Sequence, residues 1–118
     1  MIRPAFQDPL ILEEVDARCW KLAHELRFDS AVMGARIIVP EGRLTDLASV
    51  PRIPFAYLIA GDTGRKAAVI HDELYRVRLC PRALADAVFR EALQAEGLPA
   101  WRVALMYAGV RIGGWVNW

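Results

Sequence analysis

The sequence predicts an α+β domain, a small N-terminal antiparallel sheet followed by three helices, two of which form an antiparallel hairpin. Three observations predict it. Apolar and polar residues alternate with period two before position 40, loop-forming residues cluster from Pro40 to Pro54, and helical periodicity bounded by caps begins near position 62. With 118 residues, 55% of them hydrophobic and 25% charged, the chain has enough apolar surface for one core.

The first strand is read at Leu10 to Val15. From Cys19 to Phe28, Trp20, Leu22, Leu26 and Phe28 alternate with Lys21, Glu25 and Arg27, which reads as a second, half-buried strand. His24 interrupts its apolar face and reads as a structural residue. Arg36 to Val39 is the third strand, and Asp29, Ser30 and Gly34 supply the turn before it, so residues 1–40 read as a meander. Residues 41–61 read as a shaped loop, and 62–118 as helical. Asp62-Thr63 is placed as the N-cap of a helix to about Arg78, Pro81 in the first turn of a second helix ending at Gly97, and Pro99 at the opening of a third. On that last helix Trp101, Leu105, Ala108 and Ile112 recur at helical spacing and are read as a core stripe, with Trp115 and Trp118 outside.

Fifteen Lys and Arg against fourteen Asp and Glu give a formal charge of +1, so no global attraction draws the chain to nucleic acid. Cys19 and Cys80 do not make a disulfide framework, which suits a reducing compartment. Met1 to Asp8 has no signal-peptide pattern, and the apolar stretch Leu98 to Trp118 is broken by Arg102, Arg111 and Gly113-Gly114, against a transmembrane span.

Projection of the first helix at 100° per residue puts Ala67, Ile70, His71 and Leu74 on one apolar face, with Tyr75 at its edge and Asp72 beyond. The second helix buries Ala85, Val88, Phe89, Ala92 and Leu93, and leaves Asp86 half-buried on the border. In a hairpin with a short turn, His71 about eight residues before it and Asp86 about six after differ by only ~3 Å in axial height. An imidazole and a carboxylate in contact are what general-base catalysis needs, since the acid fixes the tautomer while the other ring nitrogen takes a proton from water. Asp72, turned away by ~100°, suits a cation that polarises a substrate, with Thr45 and Asp46 in the loop as further oxygen ligands. Each residue also has a plainer reading. His71 fits a satisfied core histidine, Asp72 with Arg76 and Asp86 with Arg90 fit helix ion pairs, and Thr45, Asp46 and Ser49 fit caps and turns.

The blocks TDLASVPR at Thr45 to Arg52, HDELY at His71 to Tyr75 and ADAVF at Ala85 to Phe89 resemble an uncharacterised family of tailed-bacteriophage and prophage proteins, a domain of unknown function. The resemblance runs from about Pro40 to the C-terminus and implies phage origin. The H-D-x-x-Y pattern followed by an Asp near a Phe is also similar to the small phospholipases of the phospholipase A(2) group, which cleave the sn-2 ester. That similarity implies His71 as general base, Asp86 as its orienting partner, Tyr75 as hydrogen-bonding support, and Asp72 as ligand of a divalent cation, calcium, aided by carbonyls of the preceding loop. The loop departs from the glycine-rich calcium loop of that group in carrying only Gly42, and the disulfides of its secreted members are missing.

The expectation is therefore a phage or prophage protein with a metal-dependent esterase-like or phospholipase-like site that aids host-envelope penetration. It would be made in the bacterial host cytoplasm and incorporated in the virion, with lipid or other phage structural proteins as partners. The alternative is a non-catalytic tail or assembly protein in which the His/Asp cluster only locks the hairpin. A cell-wall peptidase ranks last, because the sequence offers too few metal ligands.

Overall fold

The computed structural model describes residues 2–16, 19–45, 64–78 and 80–113. Within them run β1 (Ala5–Phe6), β2 (Leu12–Asp16), β3 (Cys19–Leu22), β4 (Leu26–Ser30), β5 (Ala35–Val39) and β6 (Leu44–Thr45). Three helices follow, α1 (Arg65–Val77), α2 (Arg82–Ala95) and α3 (Ala100–Gly113). The class is α+β, with antiparallel strands first and helices after, but the strands form two sheets, in the orders β1-β4-β5 and β2-β3-β6.

The stretch expected as one strand from Cys19 to Phe28 is two. The chain turns at Ala23, His24 and Glu25, so β3 pairs with β2 and β6 while β4 pairs with β1 and β5. Backbone bonds from Ala23 N to Ile11 O and from Gly42 N to Leu22 O, at 2.9 and 2.8 Å, tie off the end of β3. The alternation runs through the break because Leu22 and Leu26 are an even number of residues apart and both face the core. His24 is exposed in this turn, its Nδ1 2.7 Å from Glu25 O, and is not part of a strand face. The paired residues Leu44–Thr45 lie within the expected loop, where two residues are too few to show a period.

In β4, Leu26, Phe28 and Ser30 point inward and Arg27 and Asp29 outward; the antiparallel register sets Leu26 opposite Val39 and Phe28 opposite Ile37. The helices cover this inner face, and Phe28, Ile70, Leu74, Val88, Phe89 and Leu93 are fully buried together. Each such side chain contributes about 1.5–3 kcal/mol of transfer free energy.

Two carboxylates fasten the sheet. Asp8 accepts from the backbone N–H of Arg27 at 2.9 Å and from its Nε and Nη2 at 2.8 Å each, latching the segment after β1 to β4. Glu91 of α2 accepts from Ser30 Oγ at 2.7 Å, Ala31 N at 2.9 Å and Val32 N at 3.0 Å, which anchors the β4–β5 turn to the helical layer.

The helix ends follow local chemistry. Asp62 and Thr63, expected as the N-cap, lie outside the described residues; the N-cap is Gly64, at φ 84°. A Cβ there would come within 3.0 Å of Met106 Cε and 3.2 Å of Leu93 Cδ2, so glycine serves both conformation and packing. Glu96 takes the capping role from another element, accepting from Ala67 N at 3.1 Å. Arg78 ends α1 in the left-handed region at φ 51°, and Pro81 precedes the first residue of α2. Gly97, at φ 86°, closes α2 with Leu98 N bonded to Leu93 O at 3.3 Å, as the sequence position of that glycine predicts.

On α3 the expected core stripe faces outward. Val103, Met106 and Val110 are the buried residues, whereas Trp101 is 61% exposed and Ile112 74%. The helix is apolar on both faces, so spacing alone did not say which one meets the core. Trp115 and Trp118 lie outside the described residues. No helix of the described residues is long and apolar enough to cross a membrane.

Two outcomes follow for stability. Glu91→Ala leaves one hydroxyl and two backbone N–H groups without their acceptor and should cost about 2–3 kcal/mol in a urea melt, with Glu91→Gln recovering part of it. The Asp8 carboxyl is brought from 3.8 to about 2, chiefly by its hydrogen bond from the Arg27 side chain, against the opposing effect of desolvation. The folded group is harder to protonate than the unfolded one, so the latch contributes fully above about pH 4 and is lost as pH falls toward 2. Thermal melts across that window should show Asp8→Asn losing less stability with acid than the wild type.

Candidate functional site

Three helices converge on one carboxylate. His71 and Tyr75 are four residues apart on α1 and therefore share a face. Arg78 and Pro81 turn the chain so that α2 returns alongside with Asp86 facing that pair. His71 Nε2 is 2.7 Å from Asp86 Oδ1, and Tyr75 Oη donates to the same oxygen at 2.7 Å. The other oxygen, Oδ2, accepts from Arg111 Nη1 of α3 at 2.9 Å, with Arg82 Nη1 at 3.9 Å one turn earlier on α2. Asp86 has no exposed surface and His71 retains 6%. The carboxylate expected on the half-buried border is thus sealed, because three side chains from two other helices close over it.

A buried carboxylate persists only if its charge is answered. Burial pushes the Asp86 carboxyl up, but the hydrogen bonds from His71, Tyr75 and Arg111 outweigh that and hold it below the usual aspartate range. An ionised carboxylate is an acceptor only, so the proton between His71 and Asp86 sits on Nε2. In the neutral ring this leaves the lone pair on Nδ1, which makes no hydrogen bond with a described residue. Burial, and then the bond to the Asp86 carboxylate, push the Tyr75 hydroxyl far above the ordinary tyrosine value, so it stays protonated as a donor. The imidazole is held between two rings, with centroids 4.2 Å from Tyr75 and 4.7 Å from Phe89. Its orientation is fixed by both packing and hydrogen bonding.

The structure thus brings His71, Asp86 and Tyr75 together. Asp72 stands apart from them, half-buried, with Oδ2 3.5 Å from Arg76 Nη2, as the i,i+4 spacing predicts. The expected partner of Asp86, Arg90, instead lies over the Tyr107 ring at 4.8 Å, and Arg82 takes the i,i+4 position beside Asp86. Thr45 is buried in β6 with its Oγ1 unpartnered, and Asp46 lies outside the described residues. Among the described residues no group of three His, Cys, Asp or Glu side chains stands ready to hold a metal. Asp72 and Thr45 fall short of the six to eight oxygens that a calcium ion takes.

Two neighbours escaped the sequence reading. Arg111 was visible as a cation in an otherwise apolar stretch, and a charge in such a helix needs a buried partner, which was the available signal. Glu73 of the HDELY block is also buried, its Oε2 accepting from Arg43 Nη2 at 3.0 Å while Nε lies 2.8 Å from Oε1. This pair ties the β5–β6 connection to α1 beside His71. Its signal was weak, since Glu73 stands among several charges of either sign.

No curated protein and no solved structure matches the chain. The sequence does match a family described as protein of unknown function (DUF1353) over residues 20–110, a span that contains most of β3, all of β4, β5 and β6, the α1–α2 hairpin with His71, Tyr75 and Asp86, and most of α3. The chain belongs to this DUF1353 family.

Proposed function

We propose that the chain is a hydrolase-like protein in which His71 acts as general base on an ester, in the phage or prophage setting that its sequence blocks resemble. The observation that carries this reading is the division of labour on the imidazole. Nε2–H is committed to Asp86 at 2.7 Å, and Nδ1 is left for a reactant. The arrangement of His71, Asp86 and Tyr75 is the one implied by the resemblance to the sn-2 phospholipases.

The chemistry balances without any further group. Nδ1 takes a proton from a water molecule as the water oxygen bonds to the ester carbonyl carbon, giving a tetrahedral intermediate and an imidazolium. The intermediate collapses with cleavage of the bond to the alcohol oxygen, which receives the proton back from Nδ1. Asp86 keeps the ring in place and offsets the positive charge while it lasts; Tyr75 and Arg111 hold Asp86. The calcium that the phospholipase resemblance implies is left out of these steps, because the described oxygen donors do not make up a site for it.

A second reading is supported by the depth of the cluster. Asp86 at 0% and His71 at 6% exposure, tied into three helices, fit a polar lock in a non-catalytic virion component. Removing one member of such a cluster leaves uncompensated buried charge, at a cost of about 3–5 kcal/mol.

Hydrolysis of a short 4-nitrophenyl ester and of phospholipid in mixed micelles, each with calcium and with a chelator, separates the two. Under the proposal, His71→Asn lowers turnover by about 10²–10⁴-fold, and circular dichroism shows the fold retained. Tyr75→Phe should have a smaller effect on rate, of about tenfold or less, because His71 and Arg111 still hold the carboxylate. A wild type inert toward both substrates, with His71→Asn and Asp86→Asn each unfolding early, would establish the lock instead.

A further inference from the structure

The buried carboxylate of Asp86 is faced by two guanidiniums, one more than its charge requires. Arg111 Nη1 donates to Oδ2 at 2.9 Å, and Arg82 Nη1 lies 3.9 Å from the same oxygen, beyond hydrogen-bonding distance. Arg82 instead donates to the backbone oxygen of Arg111 in a long bond of 3.4 Å and stands beside the Tyr75 hydroxyl. No other hydrogen bond or ion pair joins Arg82 to a described residue.

Charge and position leave Arg82 without a structural explanation. With the neutral imidazole and the protonated Tyr75 hydroxyl adding nothing, Asp86, Arg82 and Arg111 sum to a single positive charge. Arg82 is also the first residue of α2, where the helix dipole opposes a cation, and that first turn holds no acidic residue to offset it. The excess charge is reachable from outside. The side chains of Arg82 and Arg111 are 22% and 35% exposed while Asp86 is sealed, so the cluster meets solvent chiefly through its guanidiniums.

We infer that Arg82 and Arg111 bind the phosphate group of a ligand at the outer edge of the His71–Asp86 cluster. A guanidinium presents five N–H donors in a planar fork, and most of those on Arg82 have no acceptor among the described residues. Both arginines converge on one oxygen of Asp86, so they stand near enough for a single oxyanion to bond to both while Arg111 keeps its hold on the carboxylate. The oxygens of a phosphate point in tetrahedral directions and serve guanidiniums from two separate helices at once, which a planar carboxylate does less readily. A monoanionic phosphodiester also brings the local charge to zero, and partial burial keeps salt from screening these bonds as it would at an open surface. Binding does not rest on the ester-hydrolase reading; where that reading holds, the phosphate belongs to the substrate and selects phosphate-bearing esters over neutral ones.

Isothermal titration of the full chain with inorganic phosphate, at an ionic strength held constant with chloride, tests this. Binding should saturate with a Kd of about 1 mM or below, and acetate should bind about tenfold more weakly or worse. Arg82→Gln leaves Asp86 its three hydrogen-bond donors, so circular dichroism should show the fold retained while phosphate binding weakens by about tenfold or more. Arg82→Lys, which keeps the charge without the fork, should fall between the two. Competition arms then identify the source of the phosphate. Displacement by glycerol phosphate alone assigns a soluble ligand, and displacement by phosphatidylglycerol vesicles as well, lost in Arg82→Gln, assigns a lipid headgroup; either supports the site. No saturable binding up to about 10 mM phosphate overturns the inference. So does the wild-type Kd in either folded variant, or acetate held as tightly as phosphate. Phosphate binding by a chain inert toward esters would sink the hydrolase reading and leave this one standing.

Discussion

The ionised carboxylate of Asp86, with no surface of its own, is the constraint on which the helical half of the molecule depends. Left alone in such a place the group would be protonated or the fold would open, since no gain from packing offsets an unanswered buried charge. It is answered by His71 and Tyr75 from α1 and Arg111 from α3, with Arg82 nearby on its own helix. Each donor specifies a distance and a direction. Together they fix the rotation of α1 and the height of α3 relative to α2 more tightly than interchangeable apolar contacts do.

The sheet layer is joined to the helices by the same device used twice more. Glu91 gathers the β4–β5 turn and Glu73 receives Arg43 from the strand side, so carboxylates at 91, 86 and 73 fasten a strand turn, a helix and a strand connection. Hydrophobic burial supplies most of the driving force and these polar joints supply the register. Glu96 does a related job at the N-terminus of α1, where Gly64 has no side chain to offer the first N–H groups. The helix carrying His71 is therefore pinned at its start and at its middle, which limits the travel of the imidazole.

Much of this was legible. The capping and turn residues Pro81 and Gly97 bounded α2, and the 3.6-residue period with a short connection placed His71 and Asp86 in contact, because those features act over a few residues and carry their geometry with them. What failed did so for identifiable physical reasons. An even number of residues between Leu22 and Leu26 preserved the alternation across a turn and concealed that β3 and β4 belong to different sheets. Asp86 looked half-buried from its own helix because its cover comes from α1 and α3. The α3 stripe was placed inside because a helix apolar all round gives no sign of which face turns to the core.

The base and lock readings of the cluster use the same bonds, and this follows from the chemistry of an imidazole. A ring nitrogen is presented with a defined lone pair only when the other nitrogen is held, and holding it inside a protein requires a partner that is itself held. Structural fixation is thus a precondition of the catalytic role, and the stability of the cluster alone does not discriminate between them. The discriminating atom is Nδ1, which contributes nothing to the described network and can be recruited without dismantling it. Helix α3 joins this problem to the outer surface. Its inner edge carries Arg111 to Asp86, and its opposite face, with Trp101 and Ile112, is the largest unpartnered apolar feature among the described helices. The same helix therefore links the exposed apolar surface to the carboxylate that orients His71.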